Sequence, residues 1–297
     1  MKRILYVTNT AYTLVSLRMN LMLSMQKDGY KVSAGAPKDY NSNSIIEKGI
    51  EFFNIPMTQT GMKVTEEIKT ILSLIRVIFK FKPNIIHLFS IKSIIWGGVA
   101  ALFFPSASIL STFTGMGILR SGGSRLRSTL FQVIKLTHTS RKKYIFQNHP
   151  DLVFFENNTG IKNSTFVING SGVDLEYFTR VDDKKNCKLT FLMFSRMLHS
   201  KGIMEYLSAV KSLNKDIFNK ADFLLLGGAY PFNQNKIDGE WLSGVDAIDP
   251  DELLLKTNQA GVKWLGHDSN VLNYLSISDV VVLPTYYPEG LPRSLLE

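Results

Sequence analysis

Cysteine is nearly absent. Cys187 is the single thiol in 297 residues, which rules out an internal disulfide framework and suits a reducing compartment. Long apolar runs are missing as well. The nearest, Ile94 to Leu110, is interrupted by Gly97-Gly98 and Pro105-Ser106, so it reads as a buried helix followed by a strand rather than a membrane span. At the N-terminus Lys2 and Arg3 precede an apolar run too short to be the core of a signal peptide, and a soluble or peripheral protein is expected. The first strand is not followed by G-x-G-x-x-G, so NAD is not expected there. H-E-x-x-H, a Walker loop, G-x-S-x-G and paired cysteines are also lacking. His87, His138, His149, His199 and His267 are scattered, and no metal centre or cofactor is expected. His87, inside an apolar strand, reads as a core or rim histidine rather than a base. Acidic residues are scarce in one part only: residues 1–175 hold 21 Lys and Arg against 9 Asp and Glu, whereas residues 176–297 hold 13 against 16. A basic first half fits an anionic membrane or a phosphorylated substrate. Nucleic acid is not expected, because the cations lack interleaved aromatics and any known recognition module.

What is present is an ordinary globular composition, 45% hydrophobic and 20% charged, in a chain long enough for two domains. Strands and helices alternate through the first half: KRILYVT, KVSAGAP, IEFFNIP, NIIHLFS and ASILSTFTG read as strands. Between them LVSLRMNLMLSMQKDGY, SIIEKG, EEIKTILSLIRVIFKFKP and SIIWGGVAALFF read as helices. After a Gly/Ser/Arg loop, a helix is expected from about Ser128 to Asn148, then strands at DLVFFEN and FVINGSGVD. The pattern restarts with strands KLTFLMFS, ADFLLLGG, GVKWLG and DVVVLPT, helices between them, and the first turns of a helix at PRSLLE. This is an α/β chain built from parallel β-α-β units. The domains expected are 1–175 and 176–297, joined by a charged linker near residues 170–185 that would hinge them around a cleft.

Ligands of doubly wound sheets lie beyond the carboxyl ends of the strands. There, Arg196 follows KLTFLMFS and Lys201 opens the next helix, a pair of cations suited to one anion. After DVVVLPT comes YYPEGLPRSLLE. Gly290 permits close approach of backbone to a ligand, Pro292 fits a first helical position, and amides near Leu291 to Ser294 would face an anion. Acids beside an anion site, here Glu289 and Glu297, are suited to sugar hydroxyls.

Taken together, NGSGVDLEYF (169–178), FLMFSRMLHSKGIMEYLSAV (191–210), FLLLGG, VKWLG and SDVVVLPTYYPEGLPRSLLE (278–297) resemble the C-terminal half of a GT-B glycosyltransferase of family 4. GIEFFNIP, KPNIIHLFSIKSIIWGGVAA and STFTGMG are similar to its bacterial capsule and O-antigen branch. The resemblance implies two Rossmann-like domains with parallel sheets facing a cleft, an acceptor-binding domain first and a nucleotide-sugar-binding domain second. It implies a retaining transferase that moves a hexose or N-acetylhexosamine from a nucleotide-diphosphate sugar, a UDP-sugar by preference, without a metal. The acceptor implied is an undecaprenyl-diphosphate-linked glycan at the inner face of the bacterial cell membrane, where the protein would be cytoplasmic and peripheral. Arg196 and Lys201 match the pair that neutralises the donor diphosphate. Glu289 matches the glutamate beside the donor sugar, Glu297 the one that holds the ribose, and the amides around Gly290, Leu291 and up to Pro292 would help cradle the diphosphate. Arg18, Thr114, Gly115, Arg120, Arg125 and Arg127 are candidates for the acceptor or membrane side, with Arg141, Lys142 and Lys143 as further headgroup-facing cations. Thr114 stands where many relatives carry a histidine. The comparison also implies a chain cut after the E-x7-E motif, with about 70 residues of the second domain lacking. The alternatives are an inactive or donor-binding-only fragment of a disrupted gene, and a nucleotide-sugar epimerase of the same architecture.

Overall fold

Short apolar segments fit strands covered on both sides, and the chain has many of them. The computed structural model describes residues 1–58, 63–121, 123–179, 188–229, 246–268, 270–286 and 292–297. The chain divides into two compact units, the first Met1–Gly172 and the second the described residues from Val173 onward.

In the first unit the order is β1 (Arg3–Val7), α1 (Ala11–Lys27), β2 (Lys31–Ala36), α2 (Ser42–Glu47), β3 (Glu51–Asn54) and α3 (Val64–Phe81). Then come β4 (Ile85–Phe89), α4 (Ile91–Ala101), β5 (Ser108–Phe113), α5 (Gly117–Ser121) and α6 (Ser124–Leu136). It closes with β6 (Lys142–Phe146), α7 (His149–Thr159) and β7 (Thr165–Val167). The seven strands form one sheet in the order β3-β2-β1-β4-β5-β6-β7, every pair parallel. Leu5, Val7, Ile86 and Leu88 face α3, α4, α6 and α7 through Leu74, Ile94, Ile134 and Phe155. Ile4, Tyr6 and Val32 face the other way, under Leu14 and Met22 of α1 and Ile45 of α2.

The second unit runs β8 (Leu189–Phe194), α8 (Ile203–Lys211), α9 (Lys215–Phe218), β9 (Ala221–Leu226) and α10 (Pro250–Ala260). It continues with β10 (Lys263–Trp264), α11 (Leu272–Leu275) and β11 (Val280–Val281). Four parallel strands are ordered β10-β9-β8-β11. Met193, Phe223 and Leu225 pack against Ile203 and Leu207 of α8 and Leu253 of α10, while Leu192, Phe194 and Leu226 line the opposite face with Tyr274 and Leu275.

Two expectations are corrected here. The helix foreseen at 128–148 stops at Leu136, and Lys142–Phe146 is β6, paired with both β5 and β7. DLVFFEN, foreseen as a strand, lies in α7. The local chemistry explains it: the Asn148 side chain accepts from Asp151 N at 2.7 Å, Pro150 sits in the first turn, and Gly160 at φ 73 ends the helix. Those caps outweigh a β-rich apolar run.

Several polar groups lie inside the first unit. Lys92 Nζ lies 2.7 Å from Glu67 Oε1 and 2.6 Å from Thr58 Oγ1, a largely buried ion pair whose Glu67 Oε2 is left without a hydrogen-bond partner among the described residues. Lys142 is fully buried, with Nζ 3.3 Å from Thr137 Oγ1 and 5.4 Å from the Tyr144 ring centroid. Gly98 leaves room for that ammonium, since a Cβ there would press on Nζ. Burial pushes the Lys142 pKa down to about 8.

Two outcomes follow from this packing. In a strand Val153 and Phe155 would share a face, but in α7 they part: Val153 is 49% exposed and Phe155 is buried among Phe113, Tyr144 and Phe146. Urea unfolding should therefore show Phe155→Ala costing about 3–5 kcal/mol and Val153→Ala under about 1 kcal/mol. From about pH 8 to the ordinary lysine value near 10.4, the unfolded chain binds a proton at Lys142 that the fold does not. Stability from this group should rise with pH across that window by a few kcal/mol, to order of magnitude. Lys142→Met should abolish the rise, read as the difference between the two proteins' unfolding free energies at successive pH values.

Candidate functional site

At the carboxyl end of the small sheet, the exits of β8, β9 and β11 are drawn together by backbone. After β8, Ser195 N donates to Leu226 O at 3.1 Å, and Leu198 N donates to Arg196 O at 2.8 Å, folding the chain into a tight turn. A 3-10 turn, His199–Lys201, follows and ends at Gly202 with φ 81, which opens α8. A side chain at Gly202 would strike the Pro284 carbonyl, so the chain leaving β11 runs directly over this turn. Tyr286 N and Thr285 Oγ1 donate to Ser200 O at 3.0 and 3.2 Å, fastening the two exits. Gly227, at φ 150, lets β9 pass against Ser195 O, and Trp264 Nε1 caps the Gly227 carbonyl at 2.8 Å.

Asp246 holds the turn from the other side. Its carboxylate accepts from Ser200 N at 2.6 Å and its carbonyl from His199 N at 2.8 Å, while Ile248 N donates to Met197 O at 3.1 Å. Asp246 was not picked out from the sequence. It lies at the end of a long polar excursion where nothing marks one acid above another, and only the capping of a 3-10 turn reveals it. The sequence candidates Arg196 and Lys201 both sit on this pinned turn, Arg196 exposed and Lys201 buried.

Glu289, Gly290 and Leu291 lie outside the described residues. Pro292 precedes a 3-10 turn, Arg293–Leu295, where an α-helix was expected; a 3-10 turn closes with fewer fixed residues than an α turn. Arg293 Nε lies 2.6 Å from Glu297 Oε1. Burial pushes the Glu297 carboxyl up, and the Arg293 guanidinium pulls it back down.

In the first unit, Arg18 is buried with its guanidinium 4.3 Å from the Phe89 ring centroid. It stands beside His87, whose Nε2 is 2.8 Å from Thr112 Oγ1 and whose pKa burial and Arg18 together push down to about 3. His87 is thus the neutral core histidine expected. Thr114 is exposed at the exit of β5, Gly115 has φ 151, and Ser90 at the exit of β4 has φ 68, a strained setting for a serine. Arg120 pairs with Asp151 at 3.0 Å and lies over Phe154, Arg125 is exposed and Arg127 half-buried. Arg141 and Lys142 do not face headgroups: Arg141 donates to the Phe104 and Ala107 carbonyls, and Lys142 is in the core. Among the described residues no three His, Cys, Asp or Glu side chains gather to hold a metal, and no helix is long and apolar enough to cross a membrane.

Known proteins place this architecture. The Campylobacter jejuni N,N'-diacetylbacillosaminyl-diphospho-undecaprenol alpha-1,3-N-acetylgalactosaminyltransferase is 23% identical over 312 residues, covering 99% of this chain and 77% of that protein. The Escherichia coli UDP-Gal:alpha-D-GlcNAc-diphosphoundecaprenol alpha-1,3-galactosyltransferase is 22% identical, covering 85% of this chain; the chain spans 64% of its length. Among solved structures, the sucrose-phosphate synthase of Thermosynechococcus elongatus superposes with a TM-score of 0.72 at 17% identity, covering 98% of this chain and 77% of that one. Anabaena HepE, solved with UDP and glucose, superposes at 0.69 with 15% identity, covering 99% and 77%. Two Rossmann-like units with all-parallel sheets make this the GT-B fold. The family model for glycosyl transferases group 1 matches residues 178–297, and that for glycosyl transferase 4-like proteins matches residues 3–155. The chain belongs to the glycosyl transferase 4-like family.

Proposed function

We propose that the chain transfers a hexose or N-acetylhexosamine, with retention, from a nucleotide-diphosphate sugar to an undecaprenyl-diphosphate-linked glycan during capsule, O-antigen or exopolysaccharide assembly. The observation that carries this reading is the Arg196–Lys201 turn, pinned by Asp246, Thr285 and Tyr286 at the carboxyl end of the small sheet. Doubly wound sheets receive nucleotides at that position. Two cations carried on a fixed backbone turn there would stabilise the negative charge that builds on a departing diphosphate, without a metal. The diphosphoundecaprenol glycans in both relatives' names support the acceptor class.

The remaining roles follow the family motif. Glu289 stands by the donor sugar, Glu297 takes the ribose hydroxyls, and the amides of Gly290 and Leu291, with the turn shaped by Pro292, help cradle the diphosphate. The second unit then holds donor and the first holds acceptor, with Thr114 and Gly115 on the acceptor side and the protein peripheral at the inner face of the cell membrane. Glu297 must be ionised to accept from hydroxyl groups. Arg293 works toward that state against burial.

Arg196→Ala and Lys201→Ala should each lower kcat by roughly 10²–10³-fold in an assay of nucleotide release with a UDP-sugar and a lipid-diphosphate acceptor. Glu289→Ala should be at least as damaging; rates equal to wild type would overturn its assignment. Donor affinity should fall as pH drops through the raised Glu297 pKa. Removing the guanidinium with Arg293→Gln removes a lowering influence, so that loss should move to higher pH, measured by calorimetric titration with UDP across the acidic range.

A further inference from the structure

Helix α3 is apolar on two sides. Its inner face, with Leu74, Ile78 and Phe81, is buried against the sheet and accounts for its folding. Its outer face should then be polar, as on other surface helices. Instead Ile68, Leu72 and Phe79 are 51%, 58% and 57% exposed. At about 100° per residue these three fall within an arc of about 40° along the helix. Phe104 meets Phe79 edge-on at 4.3 Å and ties this stripe to the turn after α4, where Phe103 is 62% exposed.

Charge on the outer face is one-sided. Lys69, Arg76 and Lys80 are exposed and fall together, by the same geometry, along one flank of the stripe. The acids of α3 lie elsewhere: Glu67 is buried on Lys92, and Glu66 is in the first turn, beyond the cationic flank. An apolar stripe with a cationic edge is the pattern of a helix that lies in the interface of an anionic bilayer. A second copy of the chain is a poorer occupant, because a two-fold pairing of this face with itself would set its one-sided positive charge against its own kind.

We infer that the outer face of α3 is a docking surface for anionic lipid. Ile68, Leu72 and Phe79 enter the headgroup–acyl boundary, and Lys69, Arg76 and Lys80 meet the phosphates. The surface is read from exposure and charge alone and does not rest on glycosyl transfer, so either can fail without the other.

The test is co-sedimentation of the full chain with phosphatidylglycerol/phosphatidylethanolamine vesicles and with phosphatidylcholine vesicles. The wild type should partition onto the anionic vesicles at least tenfold more strongly, and added salt should weaken this. Leu72→Gln and the pair Lys69→Gln/Arg76→Gln should each reduce binding at least tenfold while circular dichroism and the unfolding midpoint stay at wild-type values. Replacing exposed residues keeps the fold intact, and Leu21→Gln on α1, also exposed, should leave binding unchanged. Equal binding by all these variants would overturn the assignment. So would absence of vesicle binding combined with a dimer that Leu72→Gln dissociates, which would make the face a contact between copies. UDP-sugar turnover on a water-soluble acceptor should be unaffected by the α3 variants.

Discussion

The carboxyl end of the small sheet depends on two places where a side chain cannot exist. Gly202 lies under the Pro284 carbonyl and Gly227 against the Ser195 carbonyl, and in both the backbone adopts a conformation that suits glycine. Any larger residue would push the exits of β8, β9 and β11 apart. With them closed, the 3-10 turn carrying Lys201 is gripped by hydrogen bonds from β11's exit and by the carboxylate of Asp246. Main-chain groups meet most of one another's needs, so the backbone that carries Arg196 and Lys201 is held in one conformation.

The first unit handles its buried polarity differently. Glu67 and Lys92 neutralise each other, His87 stays uncharged against Thr112, and Arg18 lies flat on Phe89. Lys142 has a single hydroxyl partner and the face of Tyr144, and its proton affinity drops in response. Lys92, Arg18 and Lys142 are therefore explained by internal packing, while most of the other basic residues of the first unit are exposed. The basic composition is a real signal, but the cations available to a partner are those on outer faces such as α3.

Much of the architecture was legible in the sequence because parallel strands buried on both faces are continuous apolar runs: β1, β4, β5, β8 and β9 all fall where the runs predict. Residues 151–157 were misread for the opposite reason. DLVFFEN has the composition of a strand, but its fate is set by residues outside it, Asn148, Pro150 and Gly160. KKYIF was absorbed into a helix because two charged residues hide the start of a strand whose Lys142 points inward. That Arg196 and Lys201 follow β8 was readable from the apolar run before them. Asp246 was not, since its partner is a backbone amide that exists only once the turn is made.

The placement of β1 in the middle of its sheet has a consequence in time. Its neighbours are β2 on one side and β4 on the other, and the β4 register pairs Ile4 with Ile85. No hairpin can protect that edge, because every pairing in the sheet is parallel. At a synthesis rate of about 5–20 residues per second, one side of β1 waits some 4 to 16 seconds for its partner to be made. During that interval an apolar, unpaired strand is exposed to every other nascent chain. The protein's yield in a cell would then be set by how that wait is shielded, as much as by the stability of the finished sheet.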